Sequence, residues 1–69
     1  MTRQLAKDAY RYVSRTYGNE RQQYDKMARK HGPSWHSAHI IALRLHLRHG
    51  DDWCAAKIID AIAAELPER

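Results

Sequence analysis

Glycine-centred turn signals divide this chain into four short segments, and this division constrains the fold more than any other feature. The signals are Gly18-Asn19, Gly32-Pro33-Ser34 and Gly50-Asp51, and a further stop comes at Pro67. Glycine suits the left-handed residue that ends a helix, and Asn, Ser or Asp accepts hydrogen bonds from the first N–H groups of the next helix. No segment alternates as a strand would. The sequence predicts an all-α fold, a small bundle of three to four short helices, in a single domain over residues 1–69.

The first predicted helix, from about Arg3 to Tyr17, has an apolar side and a basic side. Its apolar residues fall together on a wheel of 100° per residue: Leu5, Ala6, Ala9, Tyr10, Tyr12, Val13 and Tyr17. The other side, here called the basic ridge, consists of Arg3, Lys7, Arg11 and Arg15. Like charges at this spacing repel by roughly a few tenths of a kcal/mol per pair. The ridge is therefore either a solvated face or a contact surface for acidic groups.

The second predicted helix, from about Glu20 to His31, is short and mostly polar. Four of its residues can face a core, and these are Tyr24, Met27, Ala28 and His31. This segment is expected to be a connector that fixes the angle between its neighbours.

The third predicted helix, from about Ser34 to His49, carries two apolar stripes. One consists of Trp35, Ala38, Ile41, Ala42 and Leu45. The other, here called the outer stripe, lies nearly opposite and consists of Ile40, Leu43 and Leu47, with His36 among them. A helix with two apolar faces needs cover on both sides. One cover is the core of the domain, and we expect the other to be a second subunit, giving a homodimer through the third helix, or a target protein.

The fourth predicted helix, from about Asp52 to Leu66, has one apolar stripe: Ala55, Ile58, Ile59, Ile62 and Leu66. Trp53 falls away from this stripe. It is either an interface anchor or a ring that packs on the preceding turn. Cys54, in the first predicted turn, is expected to be a small buried residue. A lone thiol also indicates a reducing, cytoplasmic environment.

A chain of 69 residues has little core to stabilise it, since a single core of this size supplies about 3–5 kcal/mol. One cysteine allows no internal disulfide, so a second subunit is the expected source of extra stability. Residues 1–50 carry ten Lys/Arg and three Asp/Glu, a balance of +7, whereas residues 51–69 carry two and five, a balance of −3. The basic part is suited to an acidic protein surface or to nucleic acid.

The residue types that enzymes and cofactor sites need are not arranged to act together. There is no glycine-rich phosphate loop, and helix capping explains the adjacent Asp51 and Asp52 better than acid–base chemistry does. The histidines are His31, His36, His39, His46 and His49. None of them has the i, i+4 spacing common in zinc sites on helices. We therefore expect no catalytic residue, no metal and no cofactor, and no membrane contact, because no stretch approaches the ~20 apolar residues of a membrane span.

The segment from Tyr24 to Ile41 resembles a helix-turn-helix, which implies DNA binding. Ala28 falls at its small-residue position and Gly32 at its turn glycine. The residues that would face the bases in the major groove are Ser34, His36, His39 and Ile40. The basic charge favours this interpretation. It is weakened by Pro33, where the motif usually has an apolar residue, and by a reading face without the Arg, Lys, Asn or Gln that read bases most often.

The other interpretation is a protein partner, because aromatic and arginine side chains dominate the energetics of protein interfaces. The candidate residues for a partner or dimer interface are Ile40, Leu43, Leu47, Trp53, His36, Arg3, Lys7, Arg11 and Arg15. Both interpretations stay open on the residues alone.

The whole chain carries a further likeness, in its length, its basic charge and its two ends. It begins Met1-Thr2-Arg3-Gln4-Leu5-Ala6-Lys7 and ends Glu65-Leu66-Pro67-Glu68-Arg69. In these respects it resembles the small anti-quorum-sensing proteins, or anti-activators, among the early proteins of Mu-like Pseudomonas phages. The resemblance implies a helical dimer in the host cytoplasm that keeps a LuxR-type quorum-sensing regulator from binding DNA. It also implies a second target, the type IV pilus assembly ATPase. No diagnostic motif accompanies it, so no functional residue is carried over.

Overall fold

Four helices form this protein in a computed structural model that describes residues 2–15 and 21–66. They are α1 (Thr2–Arg15), α2 (Arg21–His31), α3 (Ser34–His49) and α4 (Ala55–Glu65). These two ranges contain no strand, so the predicted all-α bundle is confirmed. The bounds of α3 are those predicted. Tyr17 and the Gly18-Asn19 turn lie outside the described residues.

The core lies where α1, α3 and α4 meet. Four alanines at this junction have no exposed surface at all, and they are Ala6, Ala9, Ala38 and Ala42. Larger buried side chains surround them: Leu5, Val13, Trp35, Leu45, Ile58, Ile62 and Leu66. The small alanine side chains let the helices approach closely, and the larger residues fill the space around the contact. The apolar sides predicted for α1, α3 and α4 are therefore the sides that the fold buries.

The second helix is attached differently, because α2 packs on α1 and α3 and, within the described ranges, does not touch α4. Its predicted core residues, Tyr24, Met27, Ala28 and His31, are all half-buried. No described side chain of α2 is fully buried. This short helix lies over one edge of the core and adds no layer to it.

The two described glycine turns work by different means. Gly32 has φ +75° and ends α2 in the left-handed conformation, as the sequence predicts. Gly50 has φ −54°, so the same expectation is wrong for the end of α3. Its N–H donates to the His46 carbonyl at 2.9 Å, and a β-carbon would lie only 2.5 Å from that oxygen. Glycine is required at position 50 for a close approach of the backbone, not for a positive φ.

The fourth helix begins later than predicted, at Ala55 instead of Asp52. The N–H groups of Asp52 and Trp53 both donate to the His49 carbonyl at 2.8 Å, which prolongs the turn after α3. Cys54 therefore takes an extended conformation before the helix and is exposed, so the prediction of a buried residue is wrong. Ala55 is exposed too, because it lies in the first turn and not along the buried stripe.

Candidate functional site

The outer stripe of α3 is largely open to solvent. Ile40 is 49% exposed and Leu47 is 68% exposed, and no other large hydrophobic side chain in the described ranges is exposed. Leu43 is half-buried and packs against the core, while His36 is exposed. Ile40 and Leu47 lie about two helical turns apart on one side of α3. The stripe is thus an apolar patch with Leu43 along its inner margin.

The basic ridge does not act as one surface, because its members have different surroundings. Arg3 pairs with Asp60 of α4, although both side chains are 61% exposed, so this ion pair contributes little to stability. Lys7 is exposed. Arg11 and Arg15 are exposed as well, and both lie at a groove between α1 and α2. The second half of the ridge therefore differs from the first in having a concave surface beside it.

This groove has a volume of about 320 Å³. Its lining residues are Asp8, Arg11, Tyr12, Arg15, Gln23 and Met27. Tyr12 and Met27 are half-buried and supply its apolar surface. In the described part of the chain, neither Arg11 nor Arg15 has an ion-pair partner. The groove combines two guanidinium groups that have no ion pair within the described residues with the apolar surface of Tyr12 and Met27.

The acid that lines the groove, Asp8, is buried and accepts three hydrogen bonds. It is 8% exposed, which is rare for a carboxylate unless it is paired. Its Oδ1 accepts a hydrogen bond from the Gln4 amide at 3.1 Å. Its Oδ2 accepts from Lys30 at 3.3 Å and from the His31 ring at 2.7 Å. We call these four residues the Asp8 cluster, and they tie α1 to the end of α2.

Two opposing effects set the pKa of Asp8. Burial raises this pKa, because the charged form loses hydration, but the hydrogen bonds from His31, Lys30 and Gln4 together with the charge of Lys30 lower it more. The pKa of Asp8 therefore lies below its ordinary value, and the carboxylate is charged at neutral pH. A carboxylate that already accepts three hydrogen bonds has little capacity left to neutralise Arg11 or Arg15.

Sequence analysis missed the Asp8 cluster. Asp8 is the one acidic residue of α1, among four basic ones. A weak signal existed, since Asp8 lies three residues after Leu5 and four before Tyr12, at the border of the apolar side. Its partners Lys30 and His31 belong to another helix, so no local pattern could join them to it.

An aromatic cluster fills the junction of α1, α2 and α3. The rings of Tyr12 and Tyr24 each lie 5.2 Å from that of His39 and 5.7 Å from that of Trp35, in edge-to-face contact. Such geometry is favourable because the positive edge of one ring meets the negative face of the other. Trp35 is almost fully buried, and its indole N–H has no hydrogen-bond partner in the described structure. Through Tyr24, these rings join α2 to α1 and α3 by apolar contact.

His36 and His39, which a helix-turn-helix would direct at the bases, both contact this aromatic cluster. His39 is half-buried, and burial lowers its pKa, with a further lowering from the neighbouring charge of His36. Nδ1 of His36 lies 3.0 Å from the hydroxyl of Tyr24. Only Ser34 and Ile40 of the four expected base-facing residues are exposed without such contacts. The left-handed Gly32 fits the turn of that motif, but the reading face is partly occupied by contacts within the chain.

Trp53 packs on the turn that precedes α4, one of the two placements that the sequence left open. Its ring stacks on that of His49 at a centroid distance of 3.8 Å and an interplanar angle of 9°. The ammonium of Lys57 lies 4.7 Å from the centre of the Trp53 ring. Trp53 is half-buried by these contacts, so only part of it is available to a partner.

The described residues contain neither a metal-binding cluster nor a membrane-spanning helix. No group of three or more His, Cys, Asp or Glu side chains is placed to hold a metal ion in the described ranges. Within the same ranges, no helix is both long enough and apolar enough to cross a membrane.

Comparison of the chain with models of protein families, with curated proteins and with solved structures found no match in any of the three.

Proposed function

We propose that this chain is a non-catalytic binding protein that inhibits a host protein stoichiometrically, and that its outer stripe is the contact surface. The observation that carries the proposal is the exposure of Ile40 and Leu47 on a helix whose opposite face is buried. A side chain such as Leu gains about 1.5–3 kcal/mol on full burial, so leaving Leu47 in water is unfavourable unless another molecule covers it. The occupant is a second copy of this chain, a target protein, or each in turn.

The target that we propose is a LuxR-type quorum-sensing regulator of the host, with the type IV pilus assembly ATPase as a second target. Support for these two comes from the resemblance to anti-activators of Mu-like Pseudomonas phages. In that function the chain occupies or disrupts a functional surface of the regulator and so prevents it from binding DNA. The chain catalyses no reaction in this function, and one copy of it inhibits one copy of the target.

The alternative proposal is a small helix-turn-helix transcriptional regulator. It is favoured by the left-handed Gly32 between α2 and α3 and by the exposed basic side chains of α1 and α2. It is disfavoured by the apolar outer stripe at the place where bases would be read, since base edges are read mainly by polar side chains.

The experiment that tests the proposal uses a purified LuxR-type regulator bound to its operator DNA in a gel-shift assay. We expect the wild-type chain to release the regulator from DNA at near-equimolar amounts and to leave the DNA itself unshifted. Leu47→Glu should lose this effect, because a charge in the covered patch is costly to bury. The matched control is Ala64→Glu, at an exposed position of α4.

Two outcomes contradict the proposal, and a third rejects the predicted homodimer. Direct, salt-dependent binding of the chain to the DNA supports the helix-turn-helix alternative. Equal inhibition by Leu47→Glu and the wild type removes the outer stripe as the contact surface. Light scattering of the wild type and of Leu47→Glu tests the predicted homodimer. An unchanged mass for Leu47→Glu rejects dimerisation through this stripe.

A further inference from the structure

We infer that the groove between α1 and α2 is a second binding site, which takes an acidic segment of a partner protein together with one apolar side chain of that segment. The inference rests on the proposed protein-binding function but concerns a different surface from the outer stripe. We call the exposed Arg11 and Arg15 the rim of the groove and the half-buried Tyr12 and Met27 its floor, and Asp8 and Gln23 complete the lining.

The positive charge of Arg11 and Arg15 favours the binding of an anion in the groove. Arg11 and Arg15 are one helical turn apart on α1, so their guanidinium groups repel each other until a negative group lies between them. Asp8 is the acidic residue of the lining, and its oxygens already accept from Gln4, Lys30 and His31. Neither arginine has an ion pair elsewhere in the described residues. Their planar donors match the geometry of a carboxylate, which can accept two parallel hydrogen bonds from one guanidinium.

The floor of the groove decides between a protein and a nucleic acid as the source of that anion. Tyr12 and Met27 offer apolar surface directly beside the arginines. A methionine side chain adapts to irregular apolar shapes, which suits the insertion of an aliphatic or aromatic side chain. A nucleic-acid backbone would bring phosphates to the rim but no apolar group to Met27. An acidic peptide supplies both parts.

The size of the groove fits this occupant. About 320 Å³ is at the lower end of the range for ligand pockets, roughly 300–1,000 Å³. One leucine or phenylalanine side chain with the adjacent backbone fills such a space, and carboxylates on either side of it reach the rim. The site is therefore specific for a short pattern of acid, apolar residue, acid.

The test is a titration of the ¹⁵N-labelled full chain, followed by amide chemical shifts. The probe is acetyl-Glu-Leu-Glu-Glu-amide, and two peptides of equal length serve as comparisons, acetyl-Glu-Gly-Glu-Glu-amide and acetyl-Gln-Leu-Gln-Gln-amide. We expect the first peptide to shift the amides of Arg11, Tyr12, Arg15 and Met27. Either comparison peptide should bind at least about tenfold more weakly, because each lacks one half of the recognition.

The variants Arg11→Gln and Arg15→Gln should each weaken binding of the first peptide several-fold. Arg29→Gln is the matched control, since Arg29 is an exposed arginine of α2 outside the groove and the substitution removes the same charge. Equal weakening by Arg29→Gln shows that only net charge matters and overturns the inference. So does equal binding of the Glu-Gly peptide, or stronger shifts at these amides from a DNA duplex of similar charge.

Failure here is distinguishable from failure of the proposed function. Leu47→Glu changes the outer stripe and leaves the groove intact, so it should bind the acidic peptide as the wild type does. If the regulator is still inhibited when the groove binds no peptide, only the second site is rejected.

Discussion

The junction of α1, α3 and α4 and the attachment of α2 are held by different kinds of interaction. The junction is apolar, with alanines at its centre and Ile58 and Ile62 of α4 buried against them. The attachment of α2 depends on Asp8, which bonds to His31 and Lys30, and on rings in edge-to-face contact with Tyr24. One is a non-directional contact that scales with buried area, and the other is directional.

This difference indicates how the molecule opens. Regions with few buried apolar contacts unfold locally at lower free energy than the core does. Because α2 buries no described side chain fully, we expect it to separate from the other helices before they separate from one another. The groove between α1 and α2 depends on the less stable attachment of α2. The outer stripe lies on α3, which belongs to the more stable junction.

The largest expected effect comes from a cavity in the junction. Ile62→Ala removes three carbon atoms from a side chain with no exposed surface. We expect it to lower the free energy of unfolding by about 2–5 kcal/mol, which is comparable to the whole stability of a domain this small. Urea denaturation followed by circular dichroism measures this loss. Leu47→Ala is the control, and a loss of similar size there would show that the outer stripe is also structural.

The next effect concerns the polar attachment. Asp8→Asn keeps the shape of the side chain but removes the charge that His31 and Lys30 share. We expect a loss of about 1–3 kcal/mol, because the buried side chain at position 8 can no longer accept charge-assisted hydrogen bonds. Hydrogen exchange should show faster exchange in α2 than in α4. Uniform acceleration across all four helices would contradict the separation of the two regions.

Acid tests the same contact without a substitution. Since the pKa of Asp8 in the fold lies below its ordinary value of 3.8, the unfolded chain binds this proton more readily than the folded chain does. The contribution of Asp8 is therefore complete above roughly pH 4 and is lost as the pH falls through the lower folded pKa. Between pH 6 and pH 3, the urea midpoint of unfolding should fall further for the wild type than for Asp8→Asn. An equal fall in both proteins would remove Asp8 as the cause.

The smallest effect lies in the turn between the two regions. Gly32→Ala meets no atom within 4 Å, so its cost is that of the backbone conformation at φ +75° alone. We expect a loss of about 1 kcal/mol, measured by thermal unfolding. Gly32→Asn should lose less, because Asn tolerates the left-handed conformation better. Equal losses for the two variants would show that backbone strain is not the reason for glycine here.

Helix positions could be predicted from the sequence wherever the deciding interactions are local. The bounds of α3 follow from Gly32-Pro33 before it and Gly50 after it, and the two stripes of α3 follow from periodicity. The start of α4 could not be predicted in this way. Asp51 and Asp52 have the composition of a helix cap, but the stacking of Trp53 on His49 accompanies a longer turn.

The candidate surfaces were only partly predictable, for a related reason. Periodicity identified the exposed patch of Ile40 and Leu47, because one helix determines which side each residue faces. It did not show that Leu43 packs against the core, nor that the basic ridge divides into a paired end and a groove end. Those facts depend on how α1 meets α2 and α4, which no single segment encodes.

The four alanines with no exposed surface have a consequence for how freely this sequence can vary. At Ala6, Ala9, Ala38 and Ala42 the methyl group is already fully covered, so a larger side chain would have to displace its neighbours. Inserting larger groups into a packed core costs about 1–3 kcal/mol, a large share of what a chain of this size has. Exchanges that conserve volume, such as Ile58→Leu, cost less. The smallest core residues are therefore constrained as well as the large ones, in their case against any increase in side-chain volume.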